Sequence, residues 1–512
     1  MNKKNLLFSI IFFFFTVVAV TAQDFNQKIN KLDSIFTLAL EQWNVPGMAV
    51  AIVTCDEILL SKGYGITDIK TKQAVDENTL FALASNTKAF TATALAMLVD
   101  QNKLSWTDKV RKHMPYFELY DAYVSDEMTV EDLLSHRSGL ETFSGDLIWY
   151  GSNYTREEVI RKARFLKPKY GFRTTFGYSN ILFIAAGELI PQIAGKSWDD
   201  FVKESILDRL NMNRSVLHVS DLEGKENVAQ PHTYVNGELI QIPWLSWDNM
   251  APAGALISSA NDMANWLQMN LSNGIFRGDT LVSDKNMWEL QRPRTLNNVY
   301  PSKLMPSIHF RAYALGWSLM DYLGKKIVMH NGGYDGMISQ TLFIPEANIG
   351  LVIMTNSLSG LYTPMMYHFL DIILENETQT NWNELFLRNS VAMEKIAADE
   401  VLEIEKSRVN NTKPSLKNDA YTGYYGCPLY DSIQVVETRD GLLIDFLNSP
   451  IFKGKMKHWH YDTFQVEFDT QPSLPKGFVT FKINRDGKVE GLEVFVDNPD
   501  FDFTEFEFVK LK

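Results

Sequence analysis

From Phe81 to Val99 the chain reads FALASNTKAFTATALAMLV, and Lys88 is its only charged residue. A segment so rich in Ala, Leu and Met predicts a helix with much of its surface buried, so the rest of the fold must close around it. An ammonium in that setting is costly unless a partner answers it. Ser85 stands one helical turn before Lys88, which places both side chains on one face. A serine hydroxyl is a poor nucleophile until a neighbour takes its proton. A desolvated lysine has a lowered pKa and can take it. The start of the helix also offers free backbone N–H groups to an oxyanion. The opposing reading is a helix cap, with Lys88 reaching solvent along its stem. Spacing alone does not separate the two, because Ser473 and Lys476 repeat it in a Pro-interrupted loop.

Two further segments bear on the choice. Tyr178-Ser179-Asn180, within RTTFGYSNILF, precedes another helical run. A tyrosine beside a lysine cation can be drawn toward phenolate and serve as general base. Asn180 can hold the lysine or a substrate amide. Tyr234-Val235-Asn236-Gly237 has the same spacing, but its Asn-Gly predicts a hairpin turn. His330-Asn331-Gly332-Gly333 falls on a predicted strand. Its glycines permit close approach of a substrate backbone, and the Gly333 N–H can complete an oxyanion hole. A buried, hydrogen-bonded structural histidine is the alternative for His330.

In this order the three elements resemble the serine β-lactamase and penicillin-binding-protein superfamily. The likeness is greatest to its class C and esterase/D-aminopeptidase branch, where Tyr-x-Asn replaces Ser-x-Asn. VPGMAVAIV, LLSHRSGL, AGKSWDDFVKESILDRLNM and APAGALISSANDMANWL extend it over roughly residues 30–360. The resemblance implies an α+β fold, an antiparallel sheet flanked by helices with a mostly helical subdomain. It implies Ser85 as nucleophile, with Lys88 and Tyr178 sharing its proton and Tyr178 later protonating the leaving group. Asn180 would orient substrate, Ser85 and Gly333 would donate backbone N–H groups to the oxyanion, and His330 and Gly332 would belong to the same substrate-binding and oxyanion side. No cofactor is implied. One departure matters: relatives specialised for β-lactams usually carry Lys-Thr-Gly where His330, Asn331 and Gly332 stand. A neutral histidine holds a carboxylate weakly, which favours ester, amide or peptide substrates.

At 512 residues, the chain is too long for one ordinary core. MNKKNLLFSIIFFFFTVVAVTAQ has a basic start, an apolar run from Leu6 to Val20 and small residues at Val20-Thr21-Ala22, the pattern of a cleaved export signal over residues 1–22. The run is shorter than the roughly 20 residues of a spanning helix, which disfavours a membrane anchor. The mature protein is thus expected to be exported, periplasmic or extracellular, with no stable membrane span. A hydrolase unit is expected over residues 23–380 and a charged helical connector and hinge over 381–414. Residues 415–512 are expected to form a small β domain, because Phe464, Val466 and Phe468 alternate with polar residues, as do Val479, Phe481 and Ile483. That domain resembles the lipocalin-like module appended to such hydrolases. Two cysteines, Cys55 and Cys427, make no disulfide framework, and a net charge of −13 without a basic patch argues against nucleic acid.

Gly195-Lys196-Ser197 lacks the first glycine of a phosphate loop and reads as an interhelical turn. His458 and His460 have no third metal ligand in view and read as a packed or hydrogen-bonded pair. The expected partner is a small-molecule or peptide substrate, with no metal; the oligomeric state is open. Three alternatives stay in view: a slowly turning over penicillin-binding or peptidoglycan-sensing protein, a true class C-like β-lactamase, and a small-ligand carrier built on the β domain.

Overall fold

The computed structural model describes residues 25–299, 307–376 and 380–511. The export signal expected over residues 1–22 lies outside them.

The strand Gly47–Val53 organises the first unit, because every one of its residues is buried. Side chains alternate across a strand, so Met48, Val50 and Ile52 join a core with Leu32, Phe36 and Phe369, while Ala49, Ala51 and Val53 join a second with Phe90 and Trp266. Helices therefore cover both faces of the sheet. Its eight antiparallel strands run in the order Ile58–Gly65, Gly47–Val53, Ile349–Thr355, Met337–Ile344, Lys325–Tyr334, Ser318–Tyr322, Arg311–Tyr313 and Thr295–Asn297. Val50 faces Ile353 across the antiparallel ladder, so the early hairpin and the late strands of the unit meet in one sheet. This is the expected α+β architecture.

The apolar run at 81–99 is not one helix. Phe81–Ala82 is a short strand paired with Ile257–Ser258, Ala84–Asn86 is a 3-10 turn, and the α-helix is Thr87–Asp100. Uniform apolarity signals burial without a period, so the letters conceal where the strand ends. Ala84 turns the chain with φ 47, a left-handed conformation for a residue with a Cβ. Such backbone costs on the order of 1–3 kcal/mol and persists only where the surroundings hold it. They do here: Leu83 N–H donates to Leu256 O at 2.8 Å, and Thr87 Oγ1 donates to Ala84 O at 2.7 Å.

Local turn chemistry follows the sequence elsewhere. Asn236 and Gly237, both at positive φ, join the strands His232–Val235 and Glu238–Gln241. Gly195 ends the helix Asn180–Ala194 in a left-handed conformation, and Ser197 caps the next helix.

A 26-residue helix, Trp382–Ser407, leads to a closed barrel of eight strands running from Gly423–Gly426 to Phe508–Lys510. Eight strands enclose a space that side chains can fill. Here Phe446 packs edge-on against Phe452, Phe468, Phe503 and Phe508, with centroids 5.7 to 6.2 Å apart. Tyr421, Phe464 and Phe481 pack similarly at 4.7 to 5.6 Å. Aromatic rings occupy the place where a carrier would hold its ligand. In the same domain His458 Nε2 lies 3.0 Å from Tyr461 O, and His460 Nδ1 accepts from Val409 N–H. Both free cysteines are single thiols.

The barrel rests on the segment 144–167 of the first unit. Asn153 N–H donates to Asn448 O at 2.7 Å, Lys162 pairs with Asp431 at 2.8 Å, and the tilted rings of Tyr150 and Phe501 lie with centroids 4.2 Å apart. Ile451 fills the space beside Gly151, where a Cβ would stand 2.1 Å from its Cδ1. Among the described residues no helix is long and apolar enough to cross a membrane.

Candidate active site

Four pieces of chain converge: the turn at Ser85, the loop ending at Asp146, the segment before Asn180 and the strand through Gly332. Lys88 lies on the first turn of its helix and is fully buried. Its Nζ reaches Ser85 Oγ at 3.0 Å, Asn180 Oδ1 at 2.6 Å and Ala253 O at 2.9 Å. The helix-cap reading, with the lysine in solvent, does not hold. Burial drives the Lys88 pKa down to about 7, and the nearby Asp146 carboxyl pulls it back only in part.

The partners of Nζ decide what it can do. Ala253 O is an acceptor only. Asn180 presents Oδ1 because its Nδ2 donates to Asp146 Oδ2 at 2.6 Å, which fixes the amide's orientation. A neutral amine has two N–H bonds and one lone pair. Asn180 and Ala253 take the two N–H bonds, and the lone pair is left facing Ser85 Oγ.

Tyr178 completes the group through a hydrogen bond with the Ser85 side chain. Its ring lies under Lys88, with Nζ 4.8 Å from the centroid. The expectation that Lys88 draws the phenol toward phenolate is reversed. Burial raises the Tyr178 pKa well above its ordinary value, and the Ser85 hydrogen bond offsets this only in part. Desolvation penalises a phenolate as it penalises an ammonium. At rest, therefore, the tyrosine keeps its proton and the lysine is the group poised to accept one.

His330 does not stand on the cleft surface as a substrate ligand. It is 2% exposed, its Nε2 lies 2.8 Å from the Tyr313 hydroxyl, and its Nδ1 lies 2.6 Å from Asn331 O. Burial, with Lys88 near, pushes its pKa down to about 3, so it is neutral. Residues alternate along Lys325–Tyr334, and Asn331 and Gly333 are exposed where His330 and Gly332 are buried. Gly332 packs directly against the Ser85 turn: a Cβ there would stand 2.1 Å from Leu83 O and 2.9 Å from Ser85 N. Gly333 is open, with only Ile338 Cδ1 in range at 3.7 Å.

Two residues of the cluster are not singled out by the sequence, although one of them, His136, lies in a stretch that carries the resemblance. Asp146 is buried, accepts from Trp149 Nε1 at 2.9 Å as well as from Asn180, and has its pKa raised to about 7 by burial. His136, from LLSHRSGL, lies beside Tyr178 with ring centroids 4.1 Å apart, and its Nδ1 accepts from Ser179 N–H at 3.1 Å. Both act across more than thirty positions of sequence. Ser473 and Lys476 lie in the barrel domain, where Lys476 pairs with Glu467 at 3.1 Å, apart from this group.

The profile of the family described as Beta-lactamase matches residues 32–370, and a Domain of unknown function, DUF3471, matches residues 407–510. The chain is 30% identical to "Unguisins hydrolase ungD'" of Aspergillus campestris over 83% of its own length and 79% of that protein's. It is 26% identical to "Protein flp" of Staphylococcus aureus (strain COL) over 69% of its length and 67% of that protein's. The octameric penicillin-binding protein homologue from Pyrococcus abyssi shares the fold, with a TM-score of 0.59 and 21% identity over 94% of this chain and all of that one. With the family profile spanning the sheet, the Ser85 turn and the glycine-bearing strand alike, the chain belongs to the beta-lactamase family of hydrolases.

Proposed function

We propose that this protein is an exported serine hydrolase that cleaves an ester or amide bond through an acyl-enzyme on Ser85. The arrangement of Lys88 carries the reading: two fixed acceptors leave its lone pair directed at the serine oxygen. As Oγ attacks the carbonyl carbon, its proton passes to Lys88, and the oxyanion is held by the N–H groups of Ser85 and Gly333. Tyr178 gives its proton to the leaving nitrogen or oxygen, and the Lys88 ammonium restores it. Water then releases the acyl group by the reverse sequence. Asn180 holds the lysine, and the exposed Asn331 and Gly333 meet the substrate.

The substrate class proposed is that of the esterase/D-aminopeptidase branch: esters, peptides and D-amino-acid amides before β-lactams. With a buried histidine in the place of a lysine, position 330 offers no cation to a substrate carboxylate. The hydrolase name of the Aspergillus campestris relative agrees with bond cleavage in general.

The test sets p-nitrophenyl esters, D-amino-acid amides and nitrocefin side by side across a pH series. Turnover of esters and amides is expected to exceed that of nitrocefin. Because the neutral amine is the active form, kcat/KM should rise with pH and level off above about 7, whereas an unburied lysine would place the rise near ~10. Turnover absent for all three classes would end the proposal. Export is tested by N-terminal sequencing of the secreted protein, which should begin near Gln23.

A further inference from the structure

We infer that Glu505, in the C-terminal barrel domain, is a positioning residue for the Lys88 base, so that the barrel is part of the catalytic unit. The inference rests on the role proposed for Lys88. Ser144 Oγ donates to Glu505 Oε1 at 2.5 Å, and Gly145 N–H donates to Glu505 Oε2 at 2.7 Å. These two residues form the turn that ends at Asp146, with Phe143 at φ 64 and Gly145 at φ 79. Gly145 adopts this left-handed conformation freely, but Phe143 carries a Cβ and keeps it only where the surroundings hold the turn. Glu505 holds the turn across the domain boundary.

From there the contacts run without a gap. Asp146 accepts from Asn180 Nδ2 at 2.6 Å, and Asn180 Oδ1 accepts from Lys88 at 2.6 Å. Three hydrogen-bonded steps thus join a barrel carboxylate to the proposed base. Charge acts along the same line, since Glu505 lies close enough to Asp146 to disfavour its ionised form. Less carboxylate at Asp146 means less support for an ammonium at Lys88. Glu505 therefore biases the lysine toward the free amine.

The surrounding charges are few. Lys88 is faced by Asp146, Tyr178 and Ser85 and by His136 and His330, both of which burial keeps neutral. Glu505 is faced by Asp502 and Glu141 besides Asp146, and Glu141 is paired with Lys169. Of these acidic groups, Glu505 is the one that both holds the turn and acts on Asp146. Glu507, two residues on, bridges the same domains through Lys167 at 2.9 Å, and its contact does not lead to Asp146.

Glu505→Gln and Glu507→Gln separate positioning from adhesion. A glutamine at 505 can accept only one of the two hydrogen bonds and carries no charge. Two readouts are taken: the pH profile of ester hydrolysis, and the titration of Lys88 followed by the 13Cε shift of labelled lysine, assigned with Lys88→Met. In Glu505→Gln the Lys88 midpoint should move up by about half a pH unit or more. The rise of kcat/KM should move with it, lowering kcat/KM about three- to tenfold at pH 6.5. Glu505→Asp, which keeps the charge, should restore most of the midpoint. Glu507→Gln should leave both readouts at the wild-type value. An unmoved Lys88 midpoint in Glu505→Gln overturns the inference, as does an equal shift in Glu507→Gln. The lysine titration needs no substrate, so a wild-type protein without turnover would count against the proposed function and leave this measurement decisive.

Discussion

Replacing Lys88 by methionine is expected to lower kcat/KM about a thousandfold to ten-thousandfold while the protein stays folded. General acid–base groups of this kind contribute typically 10²–10⁴ in rate, so the upper half of that range corresponds to about 4–5 kcal/mol of barrier. The opposite sign of the two structural effects keeps the fold intact. Methionine removes an amine whose burial is costly enough to pull its pKa down to about 7. It also strips a donor from Asn180 Oδ1 and from Ala253 O, and each unpaired acceptor costs about 1–3 kcal/mol. These changes offset one another, and Tm should stay within a few degrees of wild type. Lys88→Arg should be equally inactive, because a guanidinium keeps its proton and has no lone pair to offer. Steady-state kinetics and thermal melts on both variants check this. Activity within tenfold of wild type in either would remove Lys88 from the mechanism.

Gly332→Ala is expected to be the most damaging single methyl group. A Cβ at 332 would meet Leu83 O at 2.1 Å and Ser85 N at 2.9 Å, both backbone atoms that no rotamer change can move aside. Leu83 is held by Leu256 on one side and by Ser339 Oγ, at 2.7 Å, on the other. The strand or the nucleophile turn must shift. Overpacking of this kind costs typically about 1–3 kcal/mol, and a displacement near 1 Å at the reacting atoms costs about a hundredfold in rate. A loss of at least that size in kcat/KM is expected, with a lower Tm. Gly333→Ala has space for its methyl group and should fold normally, with a smaller loss confined to turnover. Equal behaviour of the two variants would contradict the packing described for this strand.

Legibility in the sequence follows the range of the interactions. Ser85 and Lys88 were readable because one helical turn links them, and the Asn236-Gly237 turn and the alternating strands of the barrel were readable because their rules span a few residues. An antiparallel sheet followed from the resemblance, which gave neither its eight strands nor their order. The entry to the nucleophile helix was not readable, since Phe81–Ala82 and the helix after it are equally apolar. Asp146 was one acid among many in a loop, and its partner Asn180 lies 34 positions away. Glu505 is further still, 360 positions from the Gly145 N–H it accepts. The protonation of Tyr178 also escaped, because the resemblance supplied Lys88 as its neighbour but not the degree of burial around the phenol. Burial dominates, so the phenol holds its proton and the amine releases its own. The same burial turned His330 from a cleft residue into a support for Tyr313.

The most direct test is to treat the full-length protein with a fluorophosphonate and map the adduct by peptide mass spectrometry. A phosphonyl group on the peptide containing Ser85, absent in Ser85→Ala and formed far more slowly in Lys88→Met, is the predicted result. Modification at another serine, or ester hydrolysis that continues unchanged in Ser85→Ala, would contradict it.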